Sequence, residues 1–298
     1  MRILITSSSL ITSKGSHHSR LAEHEILVFP GPLNSKELLR ILSGFESLDG
    51  YVCGDDEIDL PVILKLKELK INLISKYGVG LDKIDLVQAK EHGIEVRNCV
   101  GVNSRTVAEH ALSLLFFWAK DYQNNVIGKG YTKWSRSISR DVRGLKMTIV
   151  GMGNIGTEFA ELSSILGVEI NYFDPFVFND KFQRILSLKD ICHSEVISVH
   201  VPLNSNTSEL INDVILKDYK GVIINTSRAS IIGEDALKNW LNSRKENILL
   251  TDVLYQEPPQ PDNWMLKHPQ VVITPHVGSR SFECIERTAN MALDNLGI

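Results

Sequence analysis

Short apolar runs alternate with amphipathic stretches over most of the chain. Ile3 to Ile5, Ile26 to Phe29, Tyr51 to Cys53, Leu73 to Ile74 and Ile94 to Val96 read as strands. Ser35 to Leu42, Pro61 to Leu69 and Asp85 to His92 read as the helices between them. Such alternation predicts a parallel sheet wrapped by helices, here a first α/β domain over residues 1–100. From Asn103 to Lys120, Val107, Ala111, Leu114, Leu115 and Trp118 share one face of a long helix, with Asn103 or Ser104 as its N-cap. That helix is expected to cross into a second domain. The polar segment Asp121 to Arg143, with Lys129-Gly130-Tyr131 and the packing residue Trp134, reads as a wrapped connection.

The second domain opens on a strand, turn, helix and strand. The apolar run Leu145 to Val150 passes directly into Gly151-Met152-Gly153-Asn154-Ile155-Gly156, a complete G-x-G-x-x-G. Ile155, Phe159, Leu162 and Leu166 then recur on one helical face, Gly167 stops the helix, and a second apolar run from Val168 to Phe173 ends in Asp174. Gly151 permits the turn, Gly153 lets the backbone approach a pyrophosphate, and Gly156 lets the helix pack on its strand. Asn154 and Ile155 open the helix end that would face the anion. Asp174 stands where a carboxylate accepts hydrogen bonds from the adenosine ribose, which predicts NAD as the cofactor.

Further apolar runs at Val196 to Val201, Gly221 to Ile224, Ile248 to Val253 and Val271 to Thr274 bring the expected strand count from Met147 to six, the number of a full dinucleotide fold. Phe282 to Leu296 reads as a helix packing back on the first domain. The expected fold is therefore two doubly wound parallel-sheet domains. A Rossmann NAD-binding domain over 101–279 is inserted into a flavodoxin-like substrate domain of residues 1–100 and 280–298, with the active cleft between them.

Bulk properties narrow the function classes. A chain of 298 residues, 43% hydrophobic, has room for two full cores. A net charge of −4 without a long basic run disfavours nucleic acid as a partner. Cys53, Cys99, Cys192 and Cys284 are scattered, without disulfide or zinc spacing, so no metal and a reducing cytoplasm are expected. The stretch Met1 to Ser9 turns polar too soon for a signal peptide, and no long apolar run suggests a membrane span. The histidines at 17 and 18 fall in a Ser-rich turn, those at 24, 92, 193 and 268 beside loops, and His110 is expected to pack on the crossing helix.

Ligands of a doubly wound sheet bind at the carboxyl ends of its strands. The polar residues that fall there are Asn225-Thr226-Ser227-Arg228, then Asp252 and Glu257, then His276 and Gly278. One cation, one carboxylate and one imidazole thus share a rim. An imidazole can give or take a proton near neutral pH, and a guanidinium is a fixed planar cation.

With these motifs in order, the chain resembles the D-isomer-specific 2-hydroxyacid dehydrogenases, and most of all their phosphoglycerate dehydrogenase branch. Lys76-Tyr77-Gly78-Val79-Gly80-Leu81-Asp82 is similar to the family's substrate-carboxylate loop, and Asn98, Asn103-Ser104 and Val107-Ala108-Glu109 to its interdomain helix signature. His200-Val201-Pro202-Leu203, Asn225 to Arg228, Asp252 through Glu257-Pro258, and Thr274 to Gly278 each match a further motif. The resemblance implies that Arg228 holds the substrate and polarises its carbonyl, that His276 is the acid/base, and that Glu257 is its partner. It places substrate on Lys76, Tyr77, Gly78, Val79 and Gly80, with Lys76 near a substrate phosphate. It places the cofactor on the glycine turn, on Val201, Pro202 and Thr207, on Thr226, Ser227 and Arg228, and on Asp252, His276 and Gly278. Ala229, Val100 and Gly233 depart from the family pattern.

The expectation is an NAD-dependent oxidoreductase of D-2-hydroxy acids, assembled as a homodimer. 3-Phosphoglycerate leads as substrate, glyoxylate or hydroxypyruvate follows, and D-lactate is third. The chain ends at Ile298, so no C-terminal regulatory domain is expected. An alternative of another class is an NAD-sensing, corepressor-like binding protein.

Overall fold

The computed structural model describes residues 1–125 and 136–298, which divide into two compact units, Met1–Asn103 with Arg280–Ile298, and Ser104–Ser279. Lys129-Gly130-Tyr131 and Trp134 lie outside the described residues.

The first unit carries β1 (Arg2–Ile5), β2 (Glu25–Val28), β3 (Gly50–Cys53), β4 (Leu73–Lys76) and β5 (Glu95–Arg97). All four pairings are parallel, in the order β2-β1-β3-β4-β5, the flavodoxin-like arrangement. The central strand β3 is buried at every residue, which is why it reads as continuously apolar. Alternation along the strands splits the side chains between two layers. Leu4, Tyr51 and Ile74 pack with Leu38, Leu42, Val62, Ile63 and Leu66 from the helices Ser35–Leu42 and Leu60–Glu68. Ile3, Ile5 and Val52 pack on the other face with Ala289, Ala292 and Leu293 of the helix Phe282–Leu296. There the Ser75 hydroxyl also donates to the Ala292 carbonyl at 2.7 Å.

Local chemistry sets the helix ends. Asn34 and Glu37 form a reciprocal capping box before Ser35, at 2.9 and 3.2 Å. The last helix stops at Gly297, whose φ of 76° suits a residue without Cβ. The Ser-rich stretch expected as a turn instead holds two one-turn helices, Ser8–Thr12 and His17–Leu21. His17 is fully buried there, its Nε2 bonded to the Leu10 carbonyl at 2.9 Å, and burial lowers its pKa.

The second unit carries β6 (Lys146–Val150), β7 (Glu169–Phe173), β8 (Gln183–Arg184), β9 (Val196–Val199), β10 (Val222–Asn225), β11 (Ile248–Thr251) and β12 (Val271–Ile273). The sheet is parallel, in the order β12-β11-β10-β9-β6-β7-β8. It therefore has seven strands and not the six expected. The extra one, β8, has two polar residues at the sheet edge, a strand that apolar patterning cannot show. The order runs outward in both directions from the β6–β9 pair, so the crevice of a doubly wound fold opens there.

The helix Asn154–Ile165 covers β6 with Phe159 and Ala160, and the helix Ser104–Ala119 packs Ala108, Ala111 and Leu115 into the same core. Fully burying Phe159 contributes roughly 2 kcal/mol. No helix of the described residues is long and apolar enough to cross a membrane.

Candidate active site

The glycine turn sits at the crevice between β6 and β9. Gly151 has φ +98°, and a Cβ there would lie 2.6 Å from Val201 Cγ1 and 2.8 Å from the His200 carbonyl. At Gly156 a Cβ would fall 2.0 Å from the Gly151 carbonyl oxygen, so helix and strand meet at a distance only glycine allows. Gly153 differs, because its Cβ would point into open space with nothing within 4 Å. It is also the N-cap of the helix Asn154–Ile165, where no side chain caps the first N–H groups. An uncapped helix end beside an open glycine fits the pyrophosphate of a dinucleotide.

Asp174 closes the next strand and is nine-tenths buried. Its Oδ2 accepts from the Met152 N–H at 2.8 Å, and its Oδ1 accepts from Phe176 and Val177 at 2.8 and 2.9 Å. The carboxylate thus ties the glycine turn to the end of β7, a bracing role that spacing alone does not reveal. Across the crevice, Thr207 accepts from the Asn204 N–H at 2.9 Å and donates to the Pro202 carbonyl at 2.5 Å, which shapes the turn after Val201.

At the ends of β10, β11 and β12 the structure gathers Thr226, Ser227, Arg228, Asp252, Glu257, His276 and Gly278. Ser227 donates its hydroxyl to the Val199 carbonyl at 2.8 Å, while the buried Thr226 hydroxyl has no partner among the described residues. Arg228 donates Nη1–H to the Ser227 carbonyl at 2.9 Å. His276 Nδ1 meets Glu257 Oε2 at 2.6 Å, and the other oxygen of Glu257 accepts from the Leu254 N–H at 2.7 Å. The hydrogen bond that His276 Nδ1–H donates to Glu257 raises the His276 pKa against burial and the nearby Arg228 charge, which lower it, with help from the charges of Glu257 and Asp252. One imidazole nitrogen is thereby committed and held in orientation, as an acid/base requires.

His276 itself has φ +52°, a left-handed conformation uncommon for a residue with a side chain. Asp252 holds it there. The Asp252 carbonyl accepts from the His276 N–H at 3.0 Å, and its carboxylate accepts from Val277 and Gly278 at 2.9 and 2.7 Å and from the Thr274 hydroxyl at 2.5 Å. Burial would raise the Asp252 pKa, but the hydrogen bonds from His110, Thr274, Val277 and Gly278 bring it below the usual range. His110, expected only to pack, reaches this cluster from the helix Ser104–Ala119, with Nε2 at 2.9 Å from Thr274 Oγ1.

The loop Tyr77 to Gly80 belongs to the first unit. Asn98 and the Cys99 N–H bind the carbonyls of Val79 and Gly78 at 2.6 and 2.9 Å. Among the described residues no partner meets the N–H groups of Gly78, Val79 and Gly80. Gly78 has φ +120°, a conformation that glycine adopts without strain. Lys76 departs from expectation: its side chain is 3% exposed, and its ammonium meets Asp55 at 2.6 Å and the carbonyls of Gly54 and Tyr77 at 2.8 and 3.3 Å. An ammonium has three donors, and all three are spent inside the unit.

Comparison with known proteins agrees with this architecture. Residues 114–278 match the NAD binding domain of D-isomer specific 2-hydroxyacid dehydrogenases. The chain is 31% identical over 292 residues to D-3-phosphoglycerate dehydrogenase of Archaeoglobus fulgidus, covering 95% of this chain but only 54% of that protein. It is 33% identical over 273 residues to hydroxypyruvate reductase of Thermotoga maritima, covering 89% of this chain and 88% of that one. The crystal structure of a Thermus thermophilus protein superposes with a TM-score of 0.85 at 30% identity, over 99% of this chain and 96% of the other.

Proposed function

We propose a reaction for a chain that belongs to the D-isomer-specific 2-hydroxyacid dehydrogenase family: NAD-dependent interconversion of a short D-2-hydroxy acid and its 2-oxo acid. The observation that carries this reading is the His276–Glu257 contact at 2.6 Å beside the guanidinium of Arg228. Bound NAD(H) supplies or accepts the hydride. Arg228 pairs with the substrate carboxylate and steadies the charge that develops on the carbonyl oxygen. His276 Nε2 gives that oxygen a proton during reduction and takes it back during oxidation, while Glu257 stabilises the imidazolium.

The internal pairing of Lys76 withdraws its support for a phosphorylated substrate. An unphosphorylated acid such as hydroxypyruvate therefore comes first. NADH consumption measured with hydroxypyruvate, glyoxylate, pyruvate and 3-phosphohydroxypyruvate tests the order. A preference for the phosphorylated acid reverses it, and no turnover with any of the four leaves a nucleotide-sensing binding protein as the better reading.

Asp174 sets the expected cofactor preference. Its buried carboxylate would repel a 2′-phosphate, and the nearby Arg184 guanidinium is engaged by the Asp174 carbonyl at 2.6 Å. NADH should exceed NADPH in kcat/KM by about 10-fold or more, roughly 1.4 kcal/mol. Equal efficiency with the two sinks the assignment of Asp174.

The helix Ser104–Ala119 leaves Phe116, Phe117 and Trp118 only partly buried, and we read that run as part of a homodimer contact. A monomeric mass by light scattering at micromolar concentration rules it out.

A further inference from the structure

We propose that His110 is a positioning residue for the acid/base His276, acting through Thr274 and Asp252. The inference rests on His276 having the role assigned above. The chain of contacts is directional. The Thr274 hydroxyl donates to Asp252 Oδ1 at 2.5 Å, so the Thr274 oxygen is the acceptor for His110 Nε2–H at 2.9 Å. The same nitrogen lies 3.3 Å from Asp252 Oδ1. His110 thereby holds the hydroxyl in the one orientation that aims its proton at Asp252.

Asp252 is 2% exposed and grips the turn 274–278 by four hydrogen bonds, from the His276, Val277 and Gly278 N–H groups and the Thr274 hydroxyl. A left-handed φ at a residue bearing a side chain persists only where surrounding structure over-determines it, and here the surroundings are these bonds. Gly278 is part of the fit, since a Cβ there would fall 2.9 Å from Asp252 Oδ2 and 3.4 Å from His110 Cδ2. Without the Nε2–H of His110, the Thr274 hydroxyl can rotate away. The turn then loosens, and with it the 2.6 Å contact between His276 and Glu257. The charged groups acting on His276 are Glu257, Arg228 and Asp252, so a looser turn weakens the influences that raise its pKa.

The test uses NMR titration of the His276 imidazole in the whole protein without NAD, alongside steady-state kinetics. Wild type should titrate above the ordinary histidine range. His110→Phe should bring the His276 titration down toward it and lower kcat for reduction by about 10-fold or more, with NADH affinity changed by less than about twofold. His110→Gln, which can place an N–H near the same point, should restore both. Thr274→Val, of the same shape, should reproduce the His110→Phe result, and the double variant should be no worse than either single one. If His110→Phe does not fold, Thr274→Val and His110→Gln carry the comparison. An unmoved His276 titration in His110→Phe or Thr274→Val overturns the proposal, as do losses that multiply in the double variant. Absence of turnover in wild type counts against the reaction proposed above, whereas the NMR comparison still decides the role of His110.

Discussion

Replacing His276 by alanine should slow reduction and oxidation roughly 10²- to 10⁴-fold, the usual worth of general acid–base catalysis, with little change in NADH binding. The more discriminating variant is Glu257→Gln, which removes the charge and keeps the shape. Because Glu257 is the main cause of the raised His276 pKa, its loss lets that pKa fall. Reduction needs protonated His276, so its kcat/KM declines as pH rises through the pKa. Oxidation needs the neutral ring and declines at low pH. Both limbs should therefore move to lower pH in Glu257→Gln, and reduction at neutral pH should suffer more than oxidation. The same linkage reaches stability. The contribution of the His276–Glu257 pair is fully present below the ordinary histidine pKa and is lost as pH rises through the raised one. With the two side chains 42% and 34% exposed, solvent screening keeps that contribution small. Limbs that stay in place, measured with one substrate in both directions, remove Glu257 from the mechanism.

Two glycines of one turn should fail in opposite ways. Gly156→Ala puts a methyl 2.0 Å from the Gly151 carbonyl oxygen, and neither side has a rotamer to yield. Gly151 is itself held by its N–H to the Phe173 carbonyl at 2.9 Å. The expected cost is about 3 kcal/mol or more, or roughly 6–12 °C in melting temperature. Gly153→Ala meets nothing within 4 Å and has φ −72°, so its stability should change by less than about 1 kcal/mol. Its methyl would instead occupy the approach of a pyrophosphate, and the NADH Kd should rise about 10-fold or more. Wild-type NADH affinity in Gly153→Ala moves the phosphate elsewhere. A wild-type melting temperature in Gly156→Ala denies the close helix–strand contact.

Most of the fold could be read in the sequence because parallel sheets buried on both faces concentrate apolar residues in short runs. The helices at Ser35–Leu42 and Phe282–Leu296 were legible to the residue, since capping residues and apolar spacing coincide at their ends. What patterning missed was polar. β8 joins the sheet through the backbone of Gln183 and Arg184, which no hydrophobic signal marks. His17 is buried beside a carbonyl that satisfies one ring nitrogen, a pairing no local composition encodes. At the candidate site, glycine spacing and the strand-end positions of Arg228, Glu257 and His276 were visible. The links that hold those residues were not. Lys76 folds onto Asp55, 21 positions away, and His110 onto Thr274, 164 positions away. Partners so distant along the chain are chosen by topology.

The helix Phe282–Leu296 has a consequence for biosynthesis. It supplies Ala289, Ala292 and Leu293 to the face of the first sheet formed by Ile3, Ile5 and Val52. A nascent chain makes the strands of that sheet first and their cover last, after every residue of Ser104–Ser279 has been added. The second unit is continuous in sequence and can close as soon as it emerges, whereas the first must wait with an apolar face unprotected. Released chains that end at Ser279 should accordingly show the second unit protected from protease and the first one cleaved. Holdase chaperones should engage the newborn protein through its N-terminal strands.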